Sequence, residues 1–290
     1  MTPSLTPSFT LSGDADGRWP LVLASPHSGR EYPPAFLRAS PLSHSQLRRA
    51  EDAYVDHLLD GISGVPVLKA RWSRLFLDLN RAADEIDAGM FDTPLGIPVR
   101  RSERVDCGLG VLPRIAGHGL DIYRAKLGAS EAAERLAALH LPWHSRLTSL
   151  LAQARRRHGH AVLIDCHSMP RPAGVSPPQI VLGDRHGRSA APQLVQRIEA
   201  HFKAQGLRVA RNSPYAGGYT TEHHGQPDAS IHAVQIEIDR TLYMDPLRLT
   251  PNSGFERMAR ILQSLVHMLL QDMPGLGLDS SDDGWAVAAE

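Results

Sequence analysis

The chain has 290 residues, 42% of them apolar and 21% charged, and its 31 Lys and Arg are balanced by 31 Asp and Glu. That composition is globular, and a chain this long can bury a core without disulfides. A net charge of zero gives no support to a nucleic-acid or membrane-surface partner. Cys107 and Cys166 are too few for a disulfide framework and lack zinc-ribbon spacing. The first residues show no basic stretch followed by an apolar one, and no apolar run is long enough to span a bilayer, so a cytoplasmic protein is expected. Fifteen histidines, several beside carboxylates, are the unusual feature.

Residues 1–18, rich in Ser, Thr, Pro and Gly, read as an irregular lead-in. Residues 20–25 read as a buried strand that runs into the turn Pro26-His27-Ser28-Gly29. Ser43 would cap a helix over 44–63. Residues 65–70 and 73–79 read as two strands, and 82–125 as a long, poorly periodic region of the kind that often shapes a substrate site. Apolar spacing predicts a helix over 130–157, interrupted at Pro142. Strands are expected at 161–166, 178–183, 207–211 and 232–239, with helices over 189–205 and 252–271. The pattern is that of one catalytic α/β domain over 1–275, a mostly parallel or mixed sheet covered by helices on both faces, followed by a disordered tail over 276–290.

In open α/β sheets, reactive residues gather at the carboxyl ends of strands. One such end leads to His27. A second gives His167, flanked by Asp165 and Ser168, and a third carries Glu237 and Asp239. The 73–79 segment closes on Asp78-Leu79-Asn80-Arg81. Metal hydrolysis needs about three imidazole or carboxylate ligands, a separate carboxylate for the water's proton and a cation for a substrate anion. Because side chains alternate along a strand, Gln235, Glu237 and Asp239 share one face, and Cys166 points away from Asp165 and His167 into the core. His140 and His144, one helical turn apart, lack the Glu of an HExxH site and are expected to pack or to support the site. Ser28 and Ser168 lack the G-x-S-x-G elbow of a serine hydrolase.

Five segments occur in order: SPHSGREYP (25–33), EDAYVDHLLDG (51–61), RWSRLFLDLNRAADE (71–85), LIDCHSMP (163–170) and GGYTTEHHGQPDASIHAVQIEIDRTLYMD (217–245). Together the sequence resembles the N-formylglutamate amidohydrolase family. The resemblance implies a phosphorylase/hydrolase-like α/β fold, a mixed sheet flanked by helices, distantly related to zinc carboxypeptidases. It implies hydrolysis of N-formyl-L-glutamate to formate and L-glutamate, a late step in one route of histidine breakdown. It implies a Zn2+ ion, or another divalent metal, on His27, Asp52 and His167, with Glu51 and Glu31 as rivals to Asp52. Arg81 and Asn80 would hold a substrate carboxylate, and Glu237 would act as general base. His223 would bind substrate or the developing oxyanion, while His224 departs from the aromatic residue common in the family. Arg100, Arg101 and Arg104 are candidates for a second substrate carboxylate. The expected partner is a small N-acyl amino acid. Two alternatives are a related deformylase or deacylase with another N-acyl amino acid as substrate, and a non-catalytic metal- or small-molecule-binding relative.

Overall fold

A computed structural model describes residues 7–279. Its main sheet has seven strands. They are β1 (Phe9–Ser12), β2 (Leu21–Ser25), β3 (Val67–Ala70), β6 (Ala161–Met169), β7 (Ile180–Gly183), β8 (Val209–Arg211) and β9 (Ile231–Asp239), with the two-stranded ribbon β4 (Ile115–Ala116) and β5 (Leu120–Asp121) between β3 and β6 in sequence. The order across the sheet is β1-β3-β2-β6-β9-β7-β8. The run β3-β2-β6-β9 is parallel, whereas β1 joins β3 and β7 joins β9 antiparallel. The sheet is therefore mixed, as expected. The carboxyl ends of β2, β6 and β9 reach one edge side by side.

Alternation along these strands feeds two cores, one on each face. Leu21, Leu23, Val162, Ile164, Cys166, Val234 and Ile236 belong to the first, where α7 (Pro192–Ala204) and α9 (Phe255–Asp272) supply Leu194, Ile198, Leu262 and Leu265. Val22, Ala24, Ala161, Leu163 and Ala233 belong to the second, with Leu147, Leu150 and Leu151 of α6 (Leu141–His158). On that second face the strands change character near their carboxyl ends. After Ala161 and Leu163 come Asp165 and His167, and after Ala233 come Gln235 and Glu237. Cys166 is fully buried in the first core, where burial pushes its thiol pKa up.

Several expected elements are corrected. After the short α1 (Pro34–Ala39), the helix expected over 44–63 breaks into α2 (His44–Arg48) and α3 (Val55–Leu58). Tyr54 between them takes a left-handed φ of 66°. There the backbone N–H of Asp52 bonds the carbonyl of His27 at 2.9 Å, so the chain leaves the helical path to seat Asp52 beside His27. Residues 73–79 form no strand. The Phe76 and Leu77 N–H groups bond back to the Ser73 carbonyl, and residues 75–80 are all buried without a period of two. The lead-in holds an edge strand, β1, paired with β3. Pro142 is accommodated in α6 because a widened π-type turn over Leu136–His140 follows α5 (Ala129–Arg135). The 82–125 region contains a short helix, α4 (Glu103–Asp106), and folds onto the second core through Ile86, Phe91, Val111, Leu112 and Ile122. Of the expected tail, residues 280–290 lie outside the described residues; Leu278 is buried, and Asp279 accepts a hydrogen bond from His160 at 2.9 Å. No helix among the described residues is long and apolar enough to cross a membrane.

Candidate metal centre and substrate pocket

A pocket of about 430 Å³ opens at the carboxyl edge of the parallel strands. His27, Asp52, Asn80, Arg81, His167, Gln235 and Glu237 all line it. His27 follows β2, His167 lies two residues before the end of β6, and Glu237 stands opposite His167 in the β6–β9 register.

Ligand atoms of His27, Asp52 and His167 lie within 4.8 Å of one another, and all three residues are buried. The two Nδ1 atoms are 3.1 Å apart, and Asp52 Oδ2 is 3.1 Å from that of His167 and 3.6 Å from that of His27. Each ring turns its other nitrogen to a separate carboxylate, His27 Nε2 to Asp78 at 2.6 Å and His167 Nε2 to Asp165 at 2.9 Å. With the proton on Nε2, three acceptors point into one small gap, an arrangement that a cation relieves. The remaining Asp52 oxygen, Oδ1, is anchored by Arg240 at 3.0 Å and by the Ser168 hydroxyl at 3.1 Å.

The rival carboxylates are engaged elsewhere. Glu51 accepts from the Tyr32 hydroxyl at 2.6 Å and from Arg48 at 3.3 Å, and Glu31 pairs with Arg71 at 2.8 Å. Burial pushes the Asp52 pKa up, but His167, His27 and Arg240 outweigh it and hold the group well below the usual carboxylate range. Asp78 is likewise held low, as Arg74, His27 and Arg81 overcome its burial. Burial would lower the His167 pKa, yet Asp165 and Asp52 raise it well above the ordinary imidazole value.

Glu237 differs from these. Burial pushes its pKa up to about 7, with His167 opposing. Its Oε1 accepts from Gln235 Nε2 at 2.8 Å, which fixes the carboxylate in rotation and leaves it a titratable acid–base group beside the triad.

Asn80 is buried, and its Oδ1 accepts from the Thr220 N–H at 2.8 Å. Gly218 packs so close that an added Cβ would overlap the Asn80 amide, although the Gly218 φ of −104° suits any residue. Gly218→Ala should therefore destabilise the fold by about 1–3 kcal/mol through overpacking. Thermal melting checks this, and an unchanged Tm would show that the contact relaxes freely.

The half-buried Arg81 donates Nε to the Leu109 carbonyl at 2.9 Å and Nη1 to its neighbour's carbonyl, that of Asn80, at 2.8 Å. Behind it, His140 Nε2 meets the Arg81 carbonyl and His144 Nε2 the Leu79 carbonyl, both at 2.9 Å. Burial lowers the pKa of both rings, so they stay neutral and donate to the carbonyls on either side of Asn80. His224 extends this chain to His144 Nδ1 at 3.0 Å, its own pKa lowered by burial to about 3. His223 is not brought to the pocket. It is exposed on α8 (Tyr219–His224), stacked on Tyr219 with ring centroids 5.0 Å apart. The Ser28 hydroxyl bonds Ser25 and that of Ser168 bonds Asp52, so neither bonds a histidine base.

A sequence profile of the N-formylglutamate amidohydrolase family matches residues 19–244. The chain belongs to this family. The N-formylglutamate deformylase of Pseudomonas aeruginosa is 29% identical over 270 residues, spanning 90% of this chain and 95% of that protein. That of Pseudomonas putida is 28% identical over 272 residues, spanning 91% and 95%. The crystal structure of N-formylglutamate amidohydrolase from Ralstonia eutropha JMP134 is 32% identical, with a TM-score of 0.87 over 92% of this chain and 99% of that one. The resemblance carried by the five motifs, and the α/β architecture it implies, are thus borne out.

Within this family member, sequence reasoning missed the parts played by Asp78, Arg74 and Arg240. Asp78 holds His27, Arg74 Nη2 holds Asp78 at 2.7 Å, and Arg240 holds Asp52. The i, i+4 spacing of Arg74 and Asp78 was a readable signal, but only for a helical turn and not for the strand expected there.

Proposed function

We propose that the protein is a metal-dependent amidohydrolase that cleaves N-formyl-L-glutamate to formate and L-glutamate. The observation that carries this reading is the convergence of two Nδ1 atoms and one carboxylate oxygen, with a carboxylate of raised pKa on the adjacent strand. The family, and relatives named for N-formylglutamate, supply the substrate. Zn2+ is the metal proposed, since two imidazoles and a carboxylate are a common catalytic zinc set that leaves room for water. Bound to His27, Asp52 and His167, it would polarise the formyl carbonyl and lower the pKa of a water molecule.

The chain's own residues account for the rest. Two of the five N–H donors of Arg81 are fixed on backbone carbonyls, which leaves three on a rigid guanidinium for a substrate carboxylate. Asn80 is held beside it by Thr220. Glu237 accepts a proton from the attacking water, whose oxygen bonds to the formyl carbon. As the C–N bond breaks, the protonated Glu237 returns that proton to the leaving nitrogen, giving the free amine and formic acid, which loses the water's second proton to solvent as formate. Glu237 works as a base only when ionised, so kcat/KM should fall as pH drops through its pKa. The midpoint of that acidic limb should lie above the usual carboxylate value of 4.5 and no higher than about 7, because a nearby cation favours the ionised form. A limb at or below 4.5 would remove Glu237 as the base.

The substrate is tested by comparing formate release from N-formyl-L-glutamate with acetate release from N-acetyl-L-glutamate. Preferred turnover of the formyl compound supports the reading. Preferred turnover of the acetyl compound would replace it with a deacylase.

A further inference from the structure

Five arginines line the pocket: Arg74, Arg81, Arg104, Arg185 and Arg240. Three have carboxylate partners. Arg74 pairs with Asp78 at 2.7 Å, Arg240 with Asp52 at 3.0 Å and Arg185 with Glu222 at 3.0 Å. Arg81 is held by backbone carbonyls alone. Arg104, on α4, forms no ion pair and no side-chain hydrogen bond among the described residues. Burial lowers the Arg81 pKa, and repulsion from Arg74 and then Arg104 adds to it against the attraction of Asp78, so Arg81 and Arg104 are near enough to feel each other. Neither Arg81 nor Arg104 forms a salt bridge among the described residues, although Asp78 and Glu85 act on Arg81 through space, so both guanidinium groups keep N–H donors for the carboxylates of a dianion.

The other arginines of the long 82–125 region are occupied away from the pocket. Arg100 pairs with Asp84 at 3.1 Å and Arg101 with Asp106 at 2.6 Å, and neither is among the lining residues. Of the three arginines in 100–104, only Arg104 faces the chamber that holds the metal triad. The region reaches the pocket because α4 is capped by Ser102, whose hydroxyl also donates to Glu85 at 2.9 Å and ties the helix to the segment after Arg81.

The geometry points to Arg104 as the residue that selects a second, side-chain carboxylate on the substrate, while Arg81 takes the carboxylate next to the scissile amide. This rests on the amidohydrolase reading above and deepens it by assigning the recognition of the substrate's side chain to one residue. A guanidinium next to another guanidinium gains from a carboxylate and little from a carboxamide, so discrimination between glutamate and glutamine side chains is what Arg104 supplies.

The test measures kcat/KM for N-formyl-L-glutamate and N-formyl-L-glutamine in the full-length, metal-loaded protein and in Arg104→Gln, Arg104→Lys and Arg101→Gln. Arg104→Gln should lower the glutamate-to-glutamine ratio by roughly 30- to 100-fold, the worth of a charge-assisted hydrogen bond. Arg104→Lys should restore part of the ratio, since it keeps the charge and loses the fork. Arg101→Gln should leave the ratio unchanged. An unchanged ratio in Arg104→Gln, or equal losses toward both substrates, overturns the assignment. If the unsubstituted protein hydrolyses neither compound, the amidohydrolase reading fails first, and this inference falls with it.

Discussion

Glu237→Gln should abolish formate release, lowering kcat by roughly a thousandfold or more, while bound metal stays at the unsubstituted level. General acid–base catalysis is commonly worth about 100- to 10,000-fold. Here one group is asked to move the proton both to and from the reacting atoms. The substitution is nearly isosteric. The new amide can still accept from Gln235 Nε2 through its oxygen, so β9 keeps its geometry. Glu237 is also not one of the three converging ligand residues, so the metal has no reason to leave. Steady-state kinetics with elemental analysis of the same sample reads both effects. Activity within tenfold of the unsubstituted protein would assign the proton to another group, and loss of metal would place Glu237 in the ligand set.

Asp52→Asn should have a comparable effect by a different route, through loss of the metal. Asp52 presents Oδ2 to both imidazoles and secures Oδ1 with Arg240 and Ser168, so its charge is the one anionic contribution to the triad. Removing that charge also leaves Arg240 beside a neutral amide. Asp78→Asn supplies the graded comparison. Asp78 touches His27 only through the far nitrogen, and loss of such a supporting carboxylate typically costs about 10- to 100-fold in metal affinity. The expected order of metal affinity is unsubstituted, then Asp78→Asn, then Asp52→Asn, measured by competition with a chelator of known strength. Equal affinity of Asp52→Asn and the unsubstituted protein would remove Asp52 from the ligand set.

Much of the site could be read in the sequence because strand alternation carries three of its members. His27 lies just past β2, and His167 and Glu237 each lie two residues before the carboxyl end of their strand, so parallel pairing of β2, β6 and β9 brings them together. Cys166 followed from the same alternation. Asp52 was visible only through family resemblance. The apolar spacing of 44–63 suits one helix, and nothing in that period reveals that the Asp52 N–H is bonded to His27 instead. Asp78 was obscured because residues 75–80 are enclosed on all sides, so burial there carries no period from which a turn could be told from a strand. The edge strand β1 was hidden by its Ser- and Thr-rich surroundings, as its register with β3 is set by long-range pairing. His223 shows the limit of a motif: it sits in a conspicuous pair, yet its helix turns it outward and leaves His224 buried against His144.

The most direct test of the account is formate release from N-formyl-L-glutamate by the purified protein, followed through chelation and Zn2+ add-back. The account predicts release that vanishes with the chelator, returns with Zn2+ and fails to return in Glu237→Gln. Full release from chelated protein shown by elemental analysis to be metal-free would contradict it.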